Sequence, residues 1–462
     1  MAKRSETFHP ENESDFLFEV VSGEFLETIE QAIEAHDEEK IRERLLVLDP
    51  PDLALLLEQL DAPDRRFIIQ AIRQGFDYDT LLGLSDHVQS EVVEYLGIDA
   101  LAKHLAELDS DDAFTLIDEL PGDQQSEILT KISASQRASY EKILSYPEES
   151  AARLMQQEFV AVPSFWKVGD VLKFIQKSKA MPDEFYEIYV VDPKHHVVGV
   201  IPNSFLLRNQ GDAPIRDIMK VDFKSIPANV DQEEVAYLFR HYDLISAPVL
   251  DESGRVIGMI TSDDVVDVID EEAEKDILQM ARVSETNYNA PFYITSSQRI
   301  GWLVVTLINA LLGAFVIEHY HATIEQKGSL AAFMTIVAAM GGANGMQVIA
   351  VTMRAFSTRL IHSSNIWRPI LKESLVGLMN ALVFSLVLTL IVLFWFKDPS
   401  VALILPLALI FNMVWASLGA VLLTFFIEKL GFDPAVSAGP LLTATTDVLG
   451  FASFLGLARL IL

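Results

Sequence analysis

The sequence contains no cysteine among its 462 residues. This excludes disulfide bonds, iron–sulfur clusters and thiolate metal sites, and it fits a reducing compartment. The sequence also lacks a G-x-x-x-x-G-K-[ST] phosphate loop, which argues against an ATP-driven pump. Because no nucleophile–base pair is recognisable either, we do not expect an enzyme. The opening residues MAKRSETFHPENESD lack an apolar core, so no signal peptide is expected.

Positive charge is scarce in the first part of the chain. Residues from Arg299 onward contain 9 basic and 7 acidic side chains, which leaves 26 basic and 59 acidic ones for residues 1–298. A region of net charge near −33 repels nucleic acid and attracts cations, so no nucleic-acid partner is expected. Solubility alone is an equally good explanation of this charge.

Five segments of the remaining part are apolar and long enough to cross a membrane, since a spanning helix needs about 20 residues. They are residues 300–317, 329–353, 374–396, 401–427 and 440–462. We therefore predict a mainly α membrane protein, with five transmembrane helices within 299–462 and membrane lipid around them. These helices follow a cytoplasmic α-helical domain and an α+β domain pair, described below.

The distribution of basic residues between the spans predicts the orientation. The loops after the first and third spans carry one lysine each. The segment between the second and third spans is richer in basic residues, namely Arg354, Arg359, Arg368 and Lys372. By the positive-inside rule, the large acidic region is cytoplasmic. We expect a multi-pass protein of the inner (cytoplasmic) membrane.

Asp447 lies inside the last apolar segment. A carboxylate at that depth costs several kcal/mol unless it faces a cavity, a counter-charge or an ion. Helical spacing places small or hydroxylic residues on its face, namely Gly439, Pro440, Thr443, Ala444 and Gly450. No Lys or Arg lies in the middle of another span, so a hydrated cation suits this stripe. A protonated Asp447 that donates a hydrogen bond to another helix is the alternative.

The second span contains the sequence AAMGGANGMQ at 338–347, whose glycines weaken a continuous helix. A helix break here predicts that Gly341, Gly342, Asn344 and Gly345 line a watery path. Close helix packing through small residues is the other interpretation. Glu373, at the start of the third span, is either a carboxylate at the mouth of the path or a marker of the water boundary.

Residues 21–150, after a tail at 1–20, alternate Leu-rich amphipathic stretches with short breakers. Asp49 and Asp111 precede apolar runs and are typical of an N-cap or a first helical turn. The sequence therefore predicts a compact helical domain here, although the repeat is too irregular to predict a solenoid.

An internal repeat follows, because YVVDPKHHVVGVI at 189–201 and PVLDESGRVIGMI at 248–260 align without gaps. Each copy has the pattern strand, turn, strand, helix, and the pair resembles tandem CBS modules over about 151–272. In such modules a hydroxyl and an acid after the last strand hold a nucleotide ribose. Thr261 and Asp264 offer them in the second copy, for a single weak ATP site. Alternatively, Thr261 simply caps the next helix.

The stretch DDVVDVIDEEAEKD at 263–276 contains eight acids and one lysine. Like charges three or four residues apart on a helix repel one another, and divalent ions relieve that repulsion. A solvated helix face is the alternative.

Taken together, these stretches resemble the MgtE family of magnesium channels and transporters across nearly the whole chain. The similarity is carried by YPEESAARLM at 146–155, the CBS pair, DVVDVIDEEAEKDILQMA at 264–281, MGGANGMQ at 340–347, LKESLVGLMNA at 371–381 and FDPAVSAGPLLTATTDVLGF at 432–451. It implies a homodimer with a pore between the membrane domains, in which Asp447 selects Mg²⁺. It also implies a connecting, or plug, helix at about 273–298. Cytoplasmic Mg²⁺ would favour the closed state by binding the sensor acids Asp111, Asp243, Asp264, Asp267 and Glu272.

Mg²⁺ gives up its water reluctantly, so a selective pore needs only one or two carboxylates. Two residues depart from the family pattern. Asn344 follows Ala343 rather than the paired glycines, and Lys275 interrupts the acidic cluster. Transport of another divalent ion such as cobalt, or a membrane-anchored sensor that does not conduct, are the alternative functions.

Overall fold

The computed structural model describes residues 23–106, 108–178, 181–182, 185–281, 283, 292–361, 365–430 and 432–462. Within them the chain forms two compact units, which divide between Glu271 and Glu272. Each unit has its own apolar core. The predicted tail at 1–20 lies outside the described residues.

The first unit begins with a helical bundle around buried aliphatic side chains such as Ile29, Leu56 and Ile68. Its described helices are α1 (Gly23–Glu34), α2 (Glu38–Leu45), α3 (Pro50–Gln59), α4 (Ala62–Ile72), α5 (Asp86–Leu96), α6 (Ile98–His104), α7 (Ser110–Asp118), α8 (Gly122–Lys131) and α9 (Ala134–Leu144), with a 3-10 turn at Tyr78–Gly83. The predicted helical domain is thus confirmed.

Local sequence explains where several of these helices start. Asp49 is the N-cap residue of α3, which has proline in its first turn, where a missing N–H costs nothing. Ser133 and Gln136 form a reciprocal capping box at the start of α9. Asp111 lies in the first turn of α7, where Asp109 is the N-cap residue.

Two small sheets of identical topology follow in the first unit, and the last helix of the second copy extends beyond Glu271. The first copy contains β1 (Ala161–Pro163), α10 (Val168–Lys177), β2 (Glu187–Val191), β3 (Val197–Pro202), α11 (Asn203–Arg208) and α12 (Ile215–Ile218). The second contains β4 (Ile226–Pro227), α13 (Gln232–Tyr242), β5 (Ser246–Leu250), β6 (Val256–Thr261) and α14 (Ser262–Met280). In each sheet the first strand pairs parallel and the third antiparallel to the middle one, which confirms the internal repeat.

The connection to the membrane part is described only in part. Helix α14 continues without a break from the second copy to Met280, and residues 292–298 already belong to the first membrane helix. The rest of the predicted connecting helix at about 273–298 includes residues 282 and 284–291, which lie outside the described residues, so that helix stays a prediction. The acidic run is helix-favouring in composition, so nothing in it stops α14 at 272.

The second unit contains five helices long and apolar enough to span a membrane, as predicted. Its described helices are α15 (Phe292–His319), the short α16 (His321–Gln326), α17 (Ser329–Ser357), α18 (Trp367–Ile391), α19 (Pro399–Lys429) and α20 (Pro434–Ile461). A π-helical turn at Val392–Phe396 follows α18. Most helices extend beyond the predicted spans, because polar residues continue the backbone hydrogen bonding outside the apolar segment.

The predicted interruption of the second span is wrong, because α17 is continuous through residues 338–347. Glycine costs a helix about 1 kcal/mol per residue relative to alanine. Here Gly341 and Gly345 are buried against side chains of neighbouring helices, so close packing offsets that cost. Likewise, Pro440 does not begin the last span but lies inside α20.

Candidate functional site

Asp447 is the fourteenth of the 28 residues of α20, and it is half-buried. Thr443 and Ala444, one turn earlier, are half-buried too, whereas Gly450 is fully buried. The hydroxyl of Thr443 donates to the carbonyl of Gly439 at 2.9 Å. The helix therefore carries one acid at its midpoint, with small and hydroxylic neighbours.

The glycine-rich part of α17 packs against two other helices. A Cβ atom added at Gly341 would overlap the carboxamide of Asn412 on α19, and one added at Gly345 would lie 2.5 Å from Leu442 on α20. Gly342 is half-buried and has space around it, since the nearest atom to a Cβ there would be 3.9 Å away. That these residues line an ion path stays a prediction.

Asn344 is buried and anchors α17 to α19. Its amide donates to the carbonyl of Met413 at 3.1 Å and to the hydroxyl of Ser417 at 2.7 Å. The displacement of this Asn from the paired glycines thus leaves it with a packing contact in this chain. Glu373 lies near the start of α18, where its carboxylate is 3.7 Å from the ammonium of Lys372.

Sequence reasoning missed the polar side chains of α19. Asn412 and Ser417 are fully buried within this apolar helix, and Asn412 donates to the carbonyl of Val337 on α17 at 2.9 Å. Asn309 on α15 donates to the carbonyl of Pro440 at 3.2 Å. A polar residue in the middle of an apolar span was the available signal.

In the first unit, the structure brings the predicted sensor acids Asp111 and Asp264 together. The pKa of Asp111 is raised to about 8 by burial, then by the carboxylates of Asp264 and the adjacent Asp112. The pKa of Asp112 is raised to about 6 by burial and then by Asp264. Asp264 on α14 thus raises the pKa of two half-buried acids of α7, which favours either a proton or a cation there.

The other predicted sensor acids have different surroundings. Burial, followed by Asp263 and Asp270, raises the pKa of Asp267. Glu272 is 3.4 Å from the ammonium of Lys275, so the lysine that interrupts the cluster forms an ion pair there. Asp243 is exposed and ends α13 in the left-handed conformation, with φ of 50°.

Thr261 and Asp264 contact each other at the start of α14. The hydroxyl of Thr261 donates to the carboxylate of Asp264 at 2.8 Å, and the backbone N–H of Thr261 donates to the same oxygen at 3.3 Å. The backbone contact is one half of a capping box, in which the acid three residues on accepts from the N–H of the residue before the helix. Asp264 therefore belongs both to this contact and to the acid cluster with Asp111.

Two further acidic groups were not singled out from the sequence. Glu119 accepts a hydrogen bond from Gln89 at 2.7 Å, and burial, outweighing that bond, raises its pKa to about 7. In the second unit, burial followed by Asp433 and Glu272 raises the pKa of Asp276.

Across the described residues, no three His, Asp or Glu side chains converge as direct metal ligands. A Mg²⁺ ion that keeps most of its water needs only one or two carboxylates, so these groups remain suited to a hydrated ion.

Comparison with known families gives three matches along the chain. Residues 334–457 match the family described as MgtE, divalent cation transporter. Residues 48–149 match the MgtE intracellular N domain, and residues 215–271 match the CBS domain. The matches follow the order helical bundle, second sheet copy, membrane helices.

Among curated proteins, the magnesium transporter MgtE of Enterococcus faecalis is 31% identical over 319 residues, which are 69% of this chain and 70% of that protein. The magnesium transporter MgtE of Thermus thermophilus is 29% identical over 449 residues, 94% of this chain and 98% of that protein. That of Bacillus subtilis is 25% identical over 91% of this chain and 94% of its own length. The matches to the Thermus thermophilus and Bacillus subtilis proteins each cover more than nine-tenths of this chain.

Among solved structures, the cytosolic domain of the Mg²⁺ channel MgtE in complex with ATP is 30% identical, with a TM-score of 0.48. It covers 53% of this chain and 99% of its own. The soluble part of a magnesium transporter is 28% identical, with a TM-score of 0.45, over 54% of this chain and 98% of its own.

Proposed function

Because the chain belongs to the MgtE family of divalent cation transporters, we propose that it carries Mg²⁺ across the membrane. The observation that carries this proposal is Asp447, an acid at the midpoint of a membrane-spanning helix. Such an acid is costly in hydrocarbon, and a passing cation offsets that cost. The MgtE family is one of membrane ion transporters rather than enzymes.

The proposed path runs along the Asp447 face of α20. Thr443 and Ala444 lie one turn away on that face, and Gly342 on α17 is also half-buried. A hydrated Mg²⁺ binds through its water, so a carboxylate and a few oxygen acceptors suffice for selectivity. In a homodimer, two copies of Asp447 would face one ion across the symmetry axis. The homodimer, the surrounding lipid and the inner-membrane location are parts of the proposal.

Regulation is proposed to come from the cytosolic acids. Asp264 raises the pKa of the half-buried Asp111 because their like charges repel, and a divalent cation there would relieve the repulsion. Less buried acids would provide further cation-binding sites, namely Asp267, Glu272 and the exposed Asp243. A conformation that binds these ions more tightly gains population as cytosolic Mg²⁺ rises, and we propose that this conformation is closed.

ATP is a further proposed ligand of the second sheet copy. Thr261 and Asp264 supply the hydroxyl and the acid that would contact a ribose, although they are hydrogen-bonded to each other. Binding of ATP would therefore have to compete with the helix cap. Calorimetric titration of the full-length protein with ATP tests this part separately, with Thr261→Val as the variant that should lose the signal.

The test of the proposed function is Mg²⁺ flux into vesicles that contain the purified protein. Wild-type protein should carry Mg²⁺, and the flux should fall as Mg²⁺ on the cytosolic side increases. Asp447→Asn, which keeps the shape and removes the charge, should abolish flux while thermal unfolding is unchanged. Glu325→Gln is the matched control, because Glu325 is an exposed acid of the same unit.

The competing functions give different results in the same assay. Faster flux of cobalt than of Mg²⁺ from equal concentrations would assign the path to another divalent ion. Absence of flux at every Mg²⁺ concentration would favour a membrane-anchored sensor. Full flux through Asp447→Asn would remove Asp447 from the path.

A further inference from the structure

Asn412 is a fully buried amide near the middle of α19, and its environment is unusual. Its Nδ2 group donates to the carbonyl of Val337 on α17 at 2.9 Å. That contact sets the orientation of the amide, because the partner can only accept. Its Oδ1 atom is buried and has no hydrogen-bond partner among the described residues. A buried acceptor without a hydrogen-bond partner destabilises the fold. The presence of an amide at this position therefore needs an explanation other than stability.

Glycines on two different helices make room for this amide. A Cβ atom at Gly341 of α17 would overlap the Asn412 carboxamide, and a Cβ atom at Gly450 of α20 would lie 2.8 Å from its nitrogen. Real Cβ atoms essentially never approach that closely. The amide of Asn412 therefore fills a slot between α17 and α20 that only glycine leaves open on both sides.

The slot is close to the acid of the proposed ion path. Gly450 follows Asp447 by three residues, so the two lie about 4.5 Å apart along the axis of α20 and on neighbouring parts of its surface. Since α20 is one continuous helix here, a displacement at Gly450 moves Asp447 with it. The contact between Asn412 and Gly450 therefore fixes how far Asp447 is from α17.

We propose that Asn412 is a positioning residue, whose amide, held by Val337 and enclosed by Gly341 and Gly450, sets the location of the Asp447 carboxylate. This inference rests on the proposed function, in which Asp447 faces the ion. Asn412 itself is enclosed and does not contact the ion. It acts by setting the position of α20 along its axis and the rotation of α20 about that axis.

The test is a double-mutant cycle on Asn412 and Gly450 in vesicles that contain full-length protein. Gly450→Ala should push α20 away from the amide and raise the half-saturating Mg²⁺ concentration by about tenfold, because ångström-scale misplacement of a functional group has effects of this size. Asn412→Ala should raise it as well, by leaving the slot empty. In the double variant the new methyl group occupies the vacated space, so the value should return to within about threefold of wild type.

A second readout does not require transport. The chain has no cysteine, so Asp447→Cys introduces a single thiol. Its rate of reaction with a small methanethiosulfonate should change with Gly450→Ala and return toward the starting value when Asn412→Ala is added. Ser385→Ala is the matched control, because it removes a 3.2 Å hydrogen bond between α18 and the carbonyl of Pro406 on α19 without involving α20. It should leave both readouts unchanged.

Additive effects of the two substitutions on both readouts, or equal effects of Ser385→Ala, would overturn the inference and leave Asn412 with a role in packing only. Failure of the proposed function gives a different result, because wild-type vesicles then carry no Mg²⁺. In that case the thiol cycle alone decides whether Asn412 positions residue 447.

Discussion

Replacement of Asp111 by asparagine should stabilise the first unit in the absence of divalent cations. The pKa of this carboxyl is raised from 3.8 to about 8, chiefly by burial, so the folded state holds a proton that the unfolded chain releases. One pKa unit corresponds to about 1.4 kcal/mol, so ionising Asp111 in the folded state costs at most about 6 kcal/mol. Asparagine keeps the shape of the side chain and removes this cost.

The sign of the pH dependence follows from linkage. Below pH 4 both the folded and the unfolded states are protonated at Asp111, and the full stability is present. As the pH rises from about 4 to 8, only the unfolded state loses its proton, so the free energy of unfolding falls. Asp112 and Asp264, with pKa values of about 6, add to the loss over the lower part of this range. Stability without Mg²⁺ should therefore decrease steadily between pH 5 and pH 8.

Mg²⁺ should reverse this trend in the wild-type protein only. A cation bound among ionised carboxylates displaces the proton and stabilises the folded state by mass action. Asp111→Asn lacks the charge, so Mg²⁺ should stabilise it much less. The control is Asp123→Asn, because Asp123 also lies in the first turn of a helix, α8, but is exposed.

The assay is hydrogen exchange of the α7 amides in full-length protein between pH 5 and 8, corrected for the intrinsic exchange rates. Protection of α7 in Asp111→Asn should exceed that in wild type at pH 8 without Mg²⁺, and the difference should shrink at pH 5. Equal protection of the two proteins at pH 8 would refute the argument from burial. Equal stabilisation of both by Mg²⁺ would refute the placement of a cation at Asp111.

Three further substitutions test the packing and the acidic run. Gly345→Ala places a methyl group 2.5 Å from Leu442 and should lower the free energy of unfolding by about 1–3 kcal/mol, whereas Gly342→Ala has space and should not. Thermal unfolding in detergent measures both, and equal melting temperatures would contradict the packing argument. Lys275→Ala frees Glu272 from its ion pair, so the cytosolic Mg²⁺ concentration that halves flux should fall by up to about fivefold. An unchanged or higher concentration would show that Lys275 does not oppose Mg²⁺.

The sequence predicted those elements whose signals are local. Five long apolar runs require five spanning helices, and the aligned segments beginning at Tyr189 and Pro248 became paired strands in both copies. The first strand of each sheet, at Ala161–Pro163 and Ile226–Pro227, is too short to show an alternating pattern. The glycines of α17 led to a wrong prediction. Helix propensity alone predicts a break at these residues, whereas packing between helices keeps α17 continuous.

The residues of the candidate site also differ in how far the sequence alone predicts them. Asp447 is identified by hydropathy alone, since one acid in an apolar run is visible without any structure. The proximity of Asp111 and Asp264, and that of Asn412 and Gly450, depends on how distant segments pack. For the first pair only the family resemblance gave a reason to group the residues. For the second pair no pattern in the sequence connects α19 with α20.

Under the proposed regulation, Asp447 and Asp111 meet cations in different surroundings. Asp447 is half-buried beside small residues, so an ion can pass it and leave. Asp111 is sufficiently desolvated that a proton occupies it near neutral pH, and Mg²⁺ has to displace that proton to bind. Closure should therefore require more cytosolic Mg²⁺ at pH 6.5 than at pH 8. Acidification of the cytosolic side at constant Mg²⁺ would then relieve inhibition and increase flux.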